Sequence, residues 1–406
     1  MRADSTPEDR GEPLSGMEPL LIEESSRHRA TLNDLVFDLT RLSAGFRRSL
    51  PPAMQPPLAS LVRAMNCYYS NLIEGHDTHP VDIERALKND YSQDQKKRDL
   101  QLEAKAHISV QQWIDEGGLS GNRAVSVEGI LETHRRFCQH LPEGLLSVEN
   151  PDTDERVRVV PGELRRRDVR VGQHIPVSPG ALPRFLSRFE QVYGSLGKAE
   201  GLMAAAAAHH RLLWMHPFLD GNGRVARLMS HATLLSILDT GAVWSVARGL
   251  ARNVQQYKSL LSNCDISRRN DLDGRGTLSE EALVEFTRFF LTICIDQVRF
   301  MESLVQPDRL RVRVLVWANE EIGLGTLPAQ AVRILEAVLH RGELPRGEID
   351  AIAGTGDRQG RRILSALLDR GILSSAGPRA PVHLAFPAEL AQRWMPGLFP
   401  ELPSAS

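Results

Sequence analysis

Twelve consecutive residues bring together the side chains that phosphate chemistry needs: His216-Pro217-Phe218-Leu219-Asp220-Gly221-Asn222-Gly223-Arg224-Val225-Ala226-Arg227. A histidine of ordinary pKa, about 6.5, is mostly neutral at pH 7, so His216 can take a proton from a hydroxyl. Asp220 is a hard oxygen donor of the kind that holds Mg2+ between phosphates. Gly221-Asn222-Gly223 frees the backbone to turn its N–H groups inward at a helix start, which makes a nest for an anion. Arg224 and Arg227 are three apart on that helix and can point at the same anion. Two guanidinium forks suit a polyphosphate better than a single carboxylate.

Rival readings of these letters fail on context. Gly221 to Ala226 matches G-x-G-x-x-A, but that dinucleotide fingerprint follows a strand, and here an alanine-rich helix precedes it. No G-x-x-x-x-G-K-[ST] loop occurs, since Gly197-Lys198 is followed by alanine. No H-E-x-x-H accompanies His209 and His210, which read as satisfied or solvated histidines. Asn270 to Gly274 looks like half a calcium loop, but Arg269 stands at its first ligand position and cannot coordinate a cation.

The elements that must position the loop are mostly helices. Helical spacing runs over residues 32–48, 58–74, 81–89, 96–117, 127–140, 182–196, 199–215, 224–238, 246–261 and 280–305. The loop thus joins two helices. The helix ending Ser70-Asn71-Leu72-Ile73-Glu74-Gly75 stops at a glycine suited to a left-handed cap. Ser70 and Glu74 share one face, and a carboxylate in the last turn opposes the negative end of the helix dipole. A solvated glutamate is the simpler reading of the residues alone; an arginine is the natural partner if one holds it. Residues 148–179 change to period-2 alternation (Val157, Val159, Val169, Val171, Ile175), with a turn at Asn150, Pro151, Asp152 and Asp154 and a break at Pro161-Gly162. They read as short strands or a hairpin, either an edge that accepts another backbone or a covered loop. Three short helices over 332–341, 346–353 and 359–370, with strands at 371–373 and 382–384, resemble a winged-helix module. Arg358, Arg361 and Arg362 would lie on its third helix; Asp357 and Asp369 dilute that face, and DNA, protein and dimer contacts all remain open.

The 406 residues, 42% hydrophobic, allow two or three domains. A net charge of −2 gives no whole-chain basic field for nucleic acid or membrane. No stretch approaches the roughly 18 uncharged apolar residues of a membrane span, and the acidic, proline-bearing start is no signal peptide. Cys67, Cys138, Cys264 and Cys294 are far apart and read as reduced thiols of a cytoplasmic protein.

The loop resembles the signature of the Fic (Fic/Doc) family, H-x-F-x-[DE]-G-N-G-R-x-x-R, and meets each of its fixed positions. Ser70 to Gly75 resembles the family's inhibitory motif, [ST]-x-x-x-E-[GN]. Pro161 to Arg165 and Val169-Arg170-Val171-Gly172 look like its target-docking flap, and Asp271 to Leu278 like its turn before the last core helix. The resemblance implies an all-helical core with a short β-hairpin flap, followed here by the winged-helix-like module. The expected segments are a flexible tail (1–28), a helical region with the inhibitory helix (29–120), the core (121–306), a linker (307–328) and the last module (329–406). It also implies transfer of AMP from Mg-ATP to a Ser, Thr or Tyr hydroxyl of a target protein. His216 would be the general base and Asp220 the Mg2+ ligand; Gly221, Asn222 and Gly223 would cradle the α-phosphate, Arg224 the β- and Arg227 the γ-phosphate. Phe218 would anchor the loop, Tyr257 lie near the adenine, and Glu74 compete for Arg227. Removal of AMP, transfer of another phosphate-containing group, and a nucleotide-sensing DNA regulator are the alternatives. A homodimer is an allowed partner; a membrane is not.

Overall fold

Proline, glycine and side-chain caps cut the chain into helices, seen in a computed structural model that describes residues 7–149 and 155–399. The turn read at Asn150, Pro151, Asp152 and Asp154 lies outside the described residues, as do residues 1–6 and 400–406 of the first and last expected segments. α1 (Arg29–Ser49) and α2 (Gln55–Ile73) are parted by Pro51 and Pro52, and α3 (Pro80–Leu87) begins on a proline, where a missing N–H costs nothing. Asp94 caps α4 (Gln95–Trp113) by accepting from the Lys97 N–H, and Ser126 caps α5 (Val127–Cys138) by accepting from Gly129. β1 (Ser147–Glu149) and β2 (Arg156–Arg158) form the expected hairpin, with Val148 opposite Val157.

α6 (Leu182–Tyr193), α7 (Lys198–Met215) and α8 (Asn222–Leu238) follow. α7 and α8 pack on each other at the centre, the alanine face of Ala204 to Ala208 fully covered. The single helix expected over 246–261 is two, α9 (Ala247–Arg252) and α10 (Val254–Asn263). They part at Asn253, whose side-chain amide donates to the Gly249 carbonyl and competes with the helical ladder. α11 (Glu280–Val305) packs on α1 and α7, and Pro307 opens α12 (Pro307–Gly323). Asp273 accepts from Ser279 Oγ and the Glu281 N–H, so the half calcium loop serves as a cap for α11.

Residues 7–28 differ from the loose tail expected of them. Met17, Leu20 and Ile22 are buried, Arg10 pairs with Asp168, Asp9 with Arg184, and Glu12 accepts from Ser178. Polar residues that read as solvated find partners about 160 positions away, which local patterning cannot register. A short turn of helix falls at Leu14–Met17.

The last part is α13 (Ala331–Arg341), β3 (Glu343–Leu344), α14 (Ile349–Ala353), α15 (Asp357–Asp369), β4 (Leu373–Ser374), β5 (Val382–Leu384) and α16 (Ala391–Trp394). Its sheet has the order β3-β5-β4, a strand more than the expected pair, because two residues are too short to show a period. On α15, Arg358, Arg361 and Arg362 are exposed, and Arg361 is paired with Asp357 at 2.7 Å. The segment after β5 docks on the core: Trp394 meets Trp317 edge-on at 5.1 Å, Tyr69 Oη donates to the Leu398 carbonyl, and Arg248 donates to Gly397. Among the described residues, no helix is long and apolar enough to cross a membrane.

Trp394→Ala empties a fully buried site, so it is expected to destabilise the chain by about 3–5 kcal/mol. Denaturant unfolding checks this; a loss under about 1 kcal/mol would show that the docked segment contributes little to the fold.

Candidate active site

The loop between α7 and α8 is held in one shape from several directions. α7 ends at Met215, and His216 turns the chain with a left-handed φ of 48°. The buried Arg165 guanidinium donates from Nε to the His216 carbonyl at 2.8 Å and from Nη2 to those of Met215 and Val177. It sits on the negative end of α7, which favours its charge, while burial pushes its pKa down to about 10. Phe218 is buried and stacks on His134 with ring centroids 3.8 Å apart, and His134 Nδ1 accepts from the Gly162 N–H. The anchoring role expected of Phe218 has this geometry.

Asn222, expected in the phosphate cradle, has its side chain closed onto the loop backbone. Its Oδ1 accepts from the Phe218 N–H at 3.0 Å and its Nδ2 donates to the Phe218 carbonyl at 2.8 Å, so the side chain shapes the loop. Gly221 has φ 79°, and Val225 is the first residue to bond back, to the Gly221 carbonyl. The N–H groups of Asn222, Gly223 and Arg224 therefore stand at the open, positive end of α8. Asp220 is exposed at the rim. Among the described residues no three His, Cys, Asp or Glu side chains gather to hold a metal. A lone exposed carboxylate fits Mg2+ that takes its other oxygens from phosphates and water.

Both arginines of α8 are buried and held by carboxylates. Arg227 donates from Nε to Ser70 Oγ at 2.8 Å, from Nη2 to the Ser70 carbonyl at 3.1 Å, and pairs with Glu74. Burial alone would raise the Glu74 pKa; the Arg227 charge and hydrogen bond outweigh it and hold the carboxylate below its usual value. A Cβ on Gly223 would come within 2.3 Å of Glu74 Oε1. The carboxylate thus lies over the start of α8, where an anion is favoured, and only glycine leaves room for it. Arg224 pairs with Glu103, which lies on α4 and went unnoticed in the sequence, with His76 beside both. Glu103, His107 and Gln111 recur at four-residue spacing and are all buried, a polar stripe on the inner face of α4.

The imidazole of His216 is neutral at pH 7 and so has one ring nitrogen free to take a proton. Burial first, then the nearby Arg165 and His174 charges, lower its pKa to about 4. His209 lies between Ser230 and Tyr257 Oη, and His210 bonds Asp265, both satisfied as expected. Tyr257, expected near the adenine, has its ring buried against Phe286 and its hydroxyl bonded to His209. Of the flap residues, Val171 pairs with His174 in a short bridge, with Arg170 and Val171 exposed and Val169 partly so. His174 in turn bonds the Trp214 carbonyl beside His216, bringing the flap to the rim of the loop.

Residues 124–234 match the model of the Fic/DOC family. The chain carries a Fic/DOC-family domain. It is similar to proteins named protein adenylyltransferase Fic, from Culex quinquefasciatus (30% identical over 207 residues, 50% of this chain and 36% of that protein) and Drosophila erecta (30% over 223 residues, 52% and 42%). The chain thus spans under half the length of these curated relatives. A solved Fic family protein from Desulfovibrio desulfuricans G20 shares the fold, with a TM-score of 0.51 at 15% identity over 90% of this chain and 98% of that one. Ser70, Glu74 and Glu103 lie outside the matched span, so the groups that hold the arginines of the Fic domain come from elements before it.

Five histidines are kept neutral, chiefly by burial: His107 and His209 with pKa about 3, His134, His210 and His216 about 4. The unfolded chain takes up their protons below its ordinary pKa of about 6.5, and the folded chain does not. Stability therefore falls as pH drops from about 6.5 toward 4, by about 1.4 kcal/mol per pH unit for each histidine in the middle of that window. Denaturant midpoints at intervals across the window check this, and a flat profile contradicts it.

Proposed function

We propose that the chain transfers AMP from Mg-ATP to a hydroxyl side chain of a protein, and that Glu74 restrains this by occupying the place of the terminal phosphate. The observation that carries the reading is the Glu74 carboxylate lodged against Gly223 and Arg227 at the start of α8. A site that accepts a carboxylate between a helix N-terminus and a guanidinium is built for a phosphate oxygen cluster.

In this reading the hydroxyl oxygen attacks the α-phosphorus, the bond to the β-phosphate breaks, and pyrophosphate leaves with the electron pair. His216 takes the hydroxyl proton on its unprotonated ring nitrogen. The open N–H groups of α8 face the charge that gathers on the α-phosphate oxygens, already oriented before the reaction. Arg224 holds the β-phosphate and Arg227, once free of Glu74, the γ-phosphate. Asp220 would hold the Mg2+, which when bound neutralises phosphate charge. The exposed flap around Arg170 and Val171 would lay the target beside His216.

Glu74→Gly is expected to raise AMP transfer from α-labelled ATP by about 10–100-fold, the effect of removing a competing anion worth roughly 1.4–2.7 kcal/mol. Unchanged transfer would sink the restraint. His216→Ala is expected to lower transfer by about 10²–10⁴-fold, the usual contribution of a general base, with ATP affinity changed less than about twofold. An active variant would remove His216 from its role. A nucleotide panel, and incubation of an AMP-modified protein with Mg2+ alone, test transfer of another group and AMP removal.

A further inference from the structure

Glu103 stands midway along α4 with its side chain 5% exposed, and it meets two groups at once. One carboxylate oxygen pairs with Nη2 of Arg224; the other lies 2.8 Å from Nδ1 of His76. Arg224 Nη2 is itself 3.1 Å from the same nitrogen. Nδ1 carries either a proton or a lone pair, so it cannot donate to Glu103 and accept from Arg224 together. The Glu103 hydrogen bond raises the His76 pKa, which keeps the proton on Nδ1 and makes the carboxylate its partner. His76 follows Glu74 by two residues, placed by the cap of α2: Gly75 has φ 85° and the His76 N–H donates to the Asn71 carbonyl.

We propose that Glu103 is a positioning residue that aims Arg224 at the β-phosphate and, through His76, holds the turn that carries Glu74. The proposal rests on the nucleotide reading of the site. Arg224 lies with its guanidinium 5.3 Å from the Phe137 ring centre, an apolar surface that cannot orient its five donors. A carboxylate fixed on a neighbouring helix and paired with Nη2 restrains the fork, so less freedom is left to lose when a phosphate binds. The same carboxylate tethers the turn at His76, a contact separate from the Glu74–Arg227 pair. The turn over residues 74–76 is thus held at both ends, by Arg227 and by Glu103.

Calorimetric titration of the full chain with AMP, ADP and ATP, Mg2+ present, tests both parts. On the Glu74→Gly background, Glu103→Gln keeps the side-chain shape and removes its charge. It is expected to weaken ADP and ATP about tenfold and AMP less than about twofold, since AMP has no β-phosphate to meet Arg224. The KM for ATP should rise in step while kcat holds. Equal weakening of all three nucleotides, or no change in any, overturns the positioning role. His76→Ala, at a position 42% exposed on its side chain, is expected to tighten ATP about threefold when Glu74 is present and to do nothing on the Glu74→Gly background. Unchanged ATP affinity with Glu74 present, or equal tightening on both backgrounds, overturns the tether. If Glu74→Gly protein binds no adenine nucleotide, the nucleotide reading falls and takes this proposal with it; the other failures, in a protein that binds ATP, fall on Glu103 and His76 alone.

Discussion

A guanidinium buried at the second turn of α8 has to have an anion beside it. Arg227 is 3% exposed, and a charge so far from water is costly unless it is paired and its donors are satisfied. Ser70 and Glu74 meet that demand from the end of α2, so the position of α2 and the charge of α8 depend on each other. An anion that replaces Glu74 has to satisfy the same donors. Under the proposed function the restraint and the binding site are one arrangement, in which a carboxylate of the chain and a phosphate would compete for one buried cation.

That competition needs a loop that does not deform to suit either anion. The Asn222 carboxamide is closed onto the Phe218 backbone, Phe218 is stacked on His134, and Arg165 gathers the last carbonyls of α7. None of these groups carries charge toward the anion; each fixes the direction of one that does. Donors held in place before a ligand arrives lose little on binding, which is how a short loop of ordinary residues would hold a polyphosphate with specificity.

The loop was legible because its information is local. Twelve adjacent residues carry the histidine, the carboxylate, the nest and both arginines, and the glycines that permit the turn stand among them. Helices bounded by proline, glycine and caps were legible for the same reason, as α11 shows with both its limits. Glu103 was not, because a glutamate in a polar helix is commonly solvated, and its partner lies 121 positions away. The hold that the Arg165 and Asn222 side chains keep on the loop was not legible either, since spacing gives proximity but not hydrogen-bond direction. The packing of residues 7–28 was hidden likewise: Arg10 with Asp168 is a pairing of two solvated-looking residues.

The polar inner face of α4 also limits how α2 can release Arg227. Asn66 is bonded to both Gln111 and Ser245, and Gln111 reaches toward His231, which bonds Asp115, itself paired with Arg63 of α2. Directional bonds in a buried seam fix register, because a shift of one turn leaves several polar groups unsatisfied at about 1–3 kcal/mol each. Tyr69 adds a bond to the Leu398 carbonyl one residue before Ser70. α2 is thus pinned along its length up to its final turn. Sliding the helix would break the whole seam, whereas opening that turn at Gly75 breaks only the contacts of Glu74, Gly75 and His76. The physical cost is lowest where the Glu74 carboxylate sits.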